Sequence, residues 1–164
     1  MKTLLLLRHA KSSWKDSEIE DHERPLNKRG KKEAPKMGRL LKDENLLPDM
    51  IVCSSAKRCR KTAEDAIHAS GYRGETRICG ELYEADAAKL REFLGRLDSS
   101  LGSVLLIAHN PGMEEFLEPL VGEYTPLSTA ALAKVQLNLD RWGDLSADTR
   151  GELVKVWQPS ELEE

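Results

Sequence analysis

Arg8, His9, Arg58 and His109 are the residues whose types and settings could do chemistry, because each follows a short apolar run. Leu4-Leu5-Leu6-Leu7 leads into Arg8-His9-Ala10, and Met50-Ile51-Val52-Cys53 into Ser54-Ser55-Ala56-Lys57-Arg58. Ser103-Val104-Leu105-Leu106-Ile107-Ala108 leads into His109-Asn110-Pro111-Gly112. Such runs read as strands buried on both faces of a parallel sheet. Parallel strands present their carboxyl ends on one side, where open α/β sheets bind ligands, so the three polar termini can converge. Two guanidinium forks match phosphate oxygens and keep their charge at working pH. Two imidazoles supply one potential nucleophile and one potential donor or acid. The helix start after Asn110 adds backbone N–H groups and a positive dipole end beside His109. The set describes phosphoryl transfer without an obvious metal cage.

Taken singly, each piece has an ordinary explanation. A histidine after a strand is commonly a satisfied structural side chain, and Arg58 within Lys57-Arg58-Cys59-Arg60-Lys61 could be plain helix-surface charge. The conjunction at three strand ends is what points to a site. His22, in a charged loop, and His68, on a helix after Ile67, have no such setting. Cys53, Cys59 and Cys79 are an odd number without C-x-x-C spacing. They read as reduced thiols of a cytoplasmic protein, and as buried small hydrophobes rather than zinc ligands. No metal and no cofactor are expected.

The elements that must hold these residues follow a simple alternation. Asn27 is a candidate cap for a first helix whose apolar face is Ala34, Met37, Leu40 and Leu41, with Pro35 expected near its first turns. A second helix runs through Arg60, Ala63, Ala66 and Ile67 and stops before Gly71. Thr76 to Cys79 reads as a short strand, and Ala87 to Leu97 as a third helix burying Leu90, Phe93, Leu94 and Leu97. Pro111 suits the first position of a fourth helix and Asn110 its cap. Ala130 to Leu139 alternates like a strand with one wetter face, and Leu153 to Trp157 suits an antiparallel partner. The acidic tail Ser160 to Glu164 is expected to fray. This β-α-β-α-β-α-β-α-β-β order predicts a single three-layer αβα domain over 1–164, with a largely parallel central sheet and an antiparallel edge.

Composition narrows the function classes. The 164 residues are 40% hydrophobic and 32% charged, as in a soluble globular protein. No run approaches a membrane span, and Arg8-His9 stands where a signal peptide would need small residues, so no membrane association is expected. A formal net charge of −3 gives no global attraction to nucleic acid. Any anion site must be a local concentration of arginines.

Several stretches together resemble the histidine phosphatase superfamily, the group containing cofactor-dependent phosphoglycerate mutases. Arg8-His9-Ala10 is similar to its Arg-His-Gly signature. Ser54-Ser55-Ala56-Lys57-Arg58-Cys59-Arg60-Lys61-Thr62-Ala63 resembles its S-P-x-x-R-A-x-Q-T-A segment, which puts Arg58 on the second phosphate-binding arginine. His109-Asn110-Pro111-Gly112 matches the second histidine in the form typical of short SixA-type phosphohistidine phosphatases. Arg24-Pro25-Leu26-Asn27-Lys28-Arg29-Gly30 is similar to the segment before the first helix. Ala10 replaces the usual glycine, which requires a negative φ there. Lys15 stands where mutases carry a phosphate-contacting asparagine, and Glu84, with Glu81 as competitor, is nearest to the general acid of larger relatives.

The resemblance implies a phosphoglycerate mutase-like fold and a covalent mechanism. His9 would attack phosphorus and form a phosphohistidine intermediate that water hydrolyses. Arg8, Arg58 and His109 would bind the equatorial oxygens, with Arg24, Lys15 and Asn110 as further substrate contacts and Glu84 as proton donor. Imidazole leaves phosphorus more readily than a sugar alkoxide, so an uncertain acid suits a phosphoramidate. The expected partner is a phosphorylated protein, such as a histidine phosphotransfer domain, or a small phosphorylated metabolite. A small-molecule phosphomonoesterase, a mutase, and a non-catalytic phosphate- or phosphoprotein-binding module are the alternatives.

Overall fold

The computed structural model describes residues 1–162; the last two residues of the acidic tail lie outside them, and Pro159–Glu161 forms a single 3-10 turn. The strands are β1 (Lys2–Arg8), β2 (Met50–Ser54), β3 (Glu75–Cys79), β4 (Ser103–Ala108), β5 (Leu132–Leu137) and β6 (Gly151–Trp157). The helices are α1 (Lys28–Asp43), α2 (Lys57–Ser70), α3 (Ala87–Gly95) and α4 (Gly112–Val121). One six-stranded sheet has the order β3-β2-β4-β1-β5-β6. Its first four strands are parallel, and β5 and β6 add an antiparallel edge.

The leucine run is central because strands cover it on both sides and helices on both faces. Successive side chains point to opposite faces of a strand. Leu4 and Leu6 accordingly join the core under α3 and α4, while Leu5 and Leu7 join the core under α1 and α2. Burying a leucine side chain is worth about 1.5–3 kcal/mol, so this strand anchors both layers.

Parallel pairing then sets the site. Arg8 pairs with Ala108 across β1 and β4, so the next residues along each chain are His9 and His109. On the other side of β4 lies β2, paired through Cys53 and Ile107, and α2 begins directly after it. That connection brings Arg58 to the same edge.

Local differences from the sequence reading have physical causes. Pro35 is the eighth residue of α1, deeper than its first turns. Asn27 does cap α1, its side chain accepting from the Gly30 amide. Helix α3 stops at Gly95, although Leu97 still packs against the core. Helix α4 starts at Gly112 with Pro111 as its cap residue, one position later than expected; Asn110 instead reaches in with its side chain, Oδ1 accepting from the Glu114 amide at 3.3 Å. Strand β5 starts only at Leu132, because Ala130 takes a left-handed backbone, φ 64°, to donate its amide to the carbonyls of Arg8 and His9.

Candidate active site

At the carboxyl edge of the parallel strands lies a cleft of about 530 Å³. Arg8, His9, Arg24, Arg58, Glu84, His109 and Asn110 all line it. Lys15 does not; it is exposed, and Lys11 and Ser12 from the same loop take its place at the cleft.

His9 is 7% exposed. Its Nδ1 lies 2.8 Å from the Ala10 carbonyl, which can only accept, so Nδ1 carries the proton and Nε2 keeps its lone pair. Burial, chiefly, with the Arg58 and Arg8 charges around it, pushes the imidazole pKa down to about 3. His9 is therefore a neutral base of defined tautomer, the form an attack on phosphorus needs. Ala10 is buried and its φ is not positive, so the methyl in place of glycine costs no backbone strain.

His109 faces His9 with ring centroids 5.3 Å apart. Arg58 Nη2 donates toward its Nδ1 at 3.3 Å, so the neutral ring carries its proton on Nε2, 2.7 Å from Ser54 Oγ. Burial and then the Arg58 charge lower its pKa to about 4. Its single proton is directed at Ser54 rather than into the cleft. Thr62 ties these parts together: its hydroxyl accepts from the Ala10 amide at 3.0 Å and donates to the Arg58 carbonyl at 2.7 Å. One side chain of α2 thus sets the loop after β1 against the arginine of its own first turn.

The arginines are held differently. Arg8 donates through Nη1 to the Leu127 carbonyl at 3.0 Å, and burial lowers its pKa. Asn110 Nδ2 donates to the same carbonyl at 2.9 Å. Arg8 Nε and Arg58 Nε are buried without a hydrogen-bond partner. Arg24 donates to Ser12 Oγ at 2.7 Å and Asp21 Oδ1 at 3.0 Å.

Asp21 is the residue that sequence reasoning missed. Its Oδ2 accepts from Tyr83 at 2.5 Å and Arg58 Nη2 at 3.1 Å, and its backbone carbonyl accepts from Arg58 Nη1 at 2.7 Å. The Tyr83 bond above all, with Arg24 and Arg58, holds this carboxyl down to about 2. The available signal was Asp21 three residues before Arg24, the spacing of a charged turn (the 3-10 turn Asp21–Glu23). His22 packs edge-on against Tyr83, its Nε2 2.9 Å from Ser55 Oγ. Ser54 and Thr62 were visible only as members of a motif.

Glu84 lies exposed on the cleft wall with a left-handed φ of 57°, uncommon for a non-glycine residue and frequent at functional sites. Glu81 points elsewhere and pairs with Arg96 at 2.5 Å. Asp86 and Glu115 join Glu84 in the cleft lining, which also holds Lys11 and the Arg24–Asp21 pair. Among the described residues no cluster of three His, Cys, Asp or Glu is arranged to hold a metal ion.

Residues 4–93 match the family model described as histidine phosphatase superfamily, branch 1. This chain belongs to that superfamily. Membership, together with the structural likeness given below, makes it a phosphatase of the histidine-dependent kind. An uncharacterised chloroplast protein of Arabidopsis thaliana is 30% identical over 155 residues, 89% of this chain and 71% of its own length. The fold is that of proposed SixA phosphohistidine phosphatases. The one from Agrobacterium tumefaciens is 29% identical with a TM-score of 0.83, over 96% of this chain and 98% of that one. The one from Nakamurella multipartitia is 26% identical, also with a TM-score of 0.83, over 96% of each chain. His109, Asn110 and Glu114 lie beyond the matched segment, yet β1–β4 pairing puts His109 beside His9 in this histidine phosphatase.

Proposed function

We propose that this phosphatase removes the phosphoryl group from phosphohistidine on a protein, with His9 as nucleophile. The observation that carries the reading is the His9 Nδ1–H bond to Ala10, which leaves a neutral ring with Nε2 free beside two arginines. Nε2 forms a bond to phosphorus as the bond from phosphorus to the substrate imidazole breaks. Water then attacks the phosphorylated His9, releases inorganic phosphate and returns Nε2.

Arg8 and Arg58 bind the equatorial oxygens, where charge builds up. His109 joins them by taking a proton on Nδ1 when a dianion arrives and Arg58 turns from it to phosphate. Arg24 and Asn110 are proposed as outer supports: Arg24 Nε and Nη1 and Asn110 Nδ2 each donate to a protein oxygen. Glu84 is the proposed proton donor. The cleft-lining acids Glu84, Asp86 and Glu115 repel a second anionic group beside the phosphoryl, which favours a histidine leaving group over a bisphosphate. Three reduced thiols support a cytoplasmic setting, and no helix is long and apolar enough to cross a membrane among the described residues.

Turnover of a phosphohistidine-bearing protein tests this. Wild type releases phosphate and, quenched with acid-free denaturant, carries label on His9. His9→Ala abolishes both, and Arg58→Ala raises KM and lowers kcat. Undiminished phosphate release by purified His9→Ala protein would overturn the assignment, and binding without any labelled intermediate would leave only a phosphate-binding module.

A further inference from the structure

We propose that the Trp14 loop and the first turns of α1 form the docking surface for an acidic protein that delivers the phosphoryl group. The inference rests on the phosphohistidine reading and names the surface its partner uses. Trp14 is 74% exposed at the mouth of the cleft. One face of its ring lies on the Arg24 guanidinium, 3.5 Å from the ring centroid, and Arg24 is itself buried. An aromatic ring fixed from behind loses little freedom on binding, and tryptophan is among the commonest interface anchors.

The charge next to it has the sign that opposes the helix it sits on. Helix α1 holds seven lysines and arginines against two acids, in a chain of net charge −3. Lys28, Arg29 and Lys31 occupy its beginning, with no acid in the first turn, although the dipole there favours acids. Such a cost to folding is expected where a surface serves recognition. Trp14 and these cations belong to one piece of structure. Ser12 bridges to Leu26, Ser13 donates its amide to the Pro25 carbonyl, and Asn27 donates to the Lys11 carbonyl at 2.9 Å.

The cleft lining carries Asp21, Glu84, Asp86 and Glu115, and the run Asp16 to Glu23 after Trp14 is acidic too, so the basic surface beside Trp14 is confined to the start of α1. A partner is therefore oriented, its acidic side over α1 and its phosphohistidine in the cleft. A polyanion, such as RNA or an anionic bilayer, that also covers the acidic residues meets repulsion from them.

The experiment uses the full chain and an acidic histidine phosphotransfer domain, with free phosphohistidine as the small substrate. Lys28→Glu/Lys31→Glu lies outside the cleft and moves acids to the helix end that favours them, so its thermal midpoint holds or rises. It is expected to lower kcat/KM on the phosphorylated domain at least tenfold through KM, with free phosphohistidine within twofold. Raising NaCl from 0.05 to 0.3 M reproduces the loss in wild type and has little effect on the variant. Trp14→Ala raises KM for the domain more than for free phosphohistidine. Equal changes on both substrates, or none on the domain, overturn the proposal. Binding of the unphosphorylated domain reads docking apart from turnover, and the double variant weakens it tenfold. Equal binding by wild type and variant, or tighter binding of RNA or phosphatidylserine vesicles than of the domain, also overturns docking. If wild type hydrolyses neither phosphohistidine substrate, the functional reading falls and the binding result still decides the docking one.

Discussion

At the residue scale, the cleft separates groups that must be neutral from groups that must stay charged. His9 and His109 are neutral because burial outweighs everything near them, and Asp21 is charged because Tyr83, Arg24 and Arg58 all bind it. Asp21 is a resident anion on the arginine proposed to bind the phosphoryl group. Asp21→Asn keeps the backbone acceptor for Arg58 Nη1 and an amide oxygen for Arg24, and removes one negative charge. Two charges a few ångströms apart near a surface interact by a few kcal/mol at most, less in salt. We expect vanadate to bind Asp21→Asn about three- to tenfold more tightly, measured as inhibition of phosphate release; weaker binding would mean that Asp21 chiefly positions Arg58. Glu84 can be tested by its leaving group. Glu84→Gln should slow hydrolysis of an alkyl phosphate by about 10²-fold, within the range of general acid catalysis, and of phosphohistidine by less than tenfold. Equal losses on the two substrates would remove Glu84 as proton donor.

At the scale of elements, two glycines let the helices approach the catalytic loops. A Cβ on Gly30 would lie 2.2 Å from the Lys11 carbonyl oxygen, and one on Gly112 would lie 2.0 Å from that of Ala85. Both contacts are with backbone, which cannot rotate aside. Gly112→Ala must therefore push the start of α4, and His109 just before it, away from the Glu84–Asp86 loop. Overpacking of this kind costs about 1–3 kcal/mol, so we expect a lower urea midpoint and a larger fall in kcat than in substrate affinity; an unchanged kcat would show that the loop is free to yield. These close approaches explain why both motif positions are glycine. They also show what was legible in the chain. Buried runs ending in Arg8-His9, Arg58 and His109 displayed the parallel strands and the edge where they meet, because the period of burial and the polar stop are both local. Asp21, Tyr83 and Ser54 were not legible as site residues, since their roles depend on which loop folds over which helix. Lys15 was placed by analogy of spacing, and the turn of the loop instead presents Lys11, Ser12 and Trp14. Pro35 and the start of α4 missed by a turn or a residue for a related reason: packing tolerates a proline and a displaced cap that local preference does not.

At the scale of the whole molecule, building two neutral histidines into the core edge makes folding depend on pH. Their unfolded pKa is about 6.5, whereas in the folded chain His9 lies at about 3 and His109 at about 4. Below pH 6.5 the unfolded chain binds more protons than the folded one, so stability rises with pH in that range. The contribution is fully present above 6.5 and is lost as pH falls toward the folded values. Each histidine costs up to about 1.4 kcal/mol per pH unit in this window. Asp21, lowered to about 2, contributes its full stability above the ordinary carboxylate range and loses it only as pH falls below that range, so it adds no slope between pH 7 and pH 5. We expect the unfolding free energy from urea titration to drop by about 2–4 kcal/mol between pH 7 and pH 5. His9→Gln and His109→Gln should each remove about half of that slope. A bound oxyanion should flatten it too, because His109 takes up a proton with the dianion and raises its own folded pKa. The same proton uptake makes vanadate affinity fall as pH rises through the pKa of the complex, and calorimetry in buffers of different ionisation enthalpy counts the proton directly. A slope unchanged by either substitution would mean that the imidazoles are charged in the folded protein, and a charged His9 has no lone pair with which to attack phosphorus.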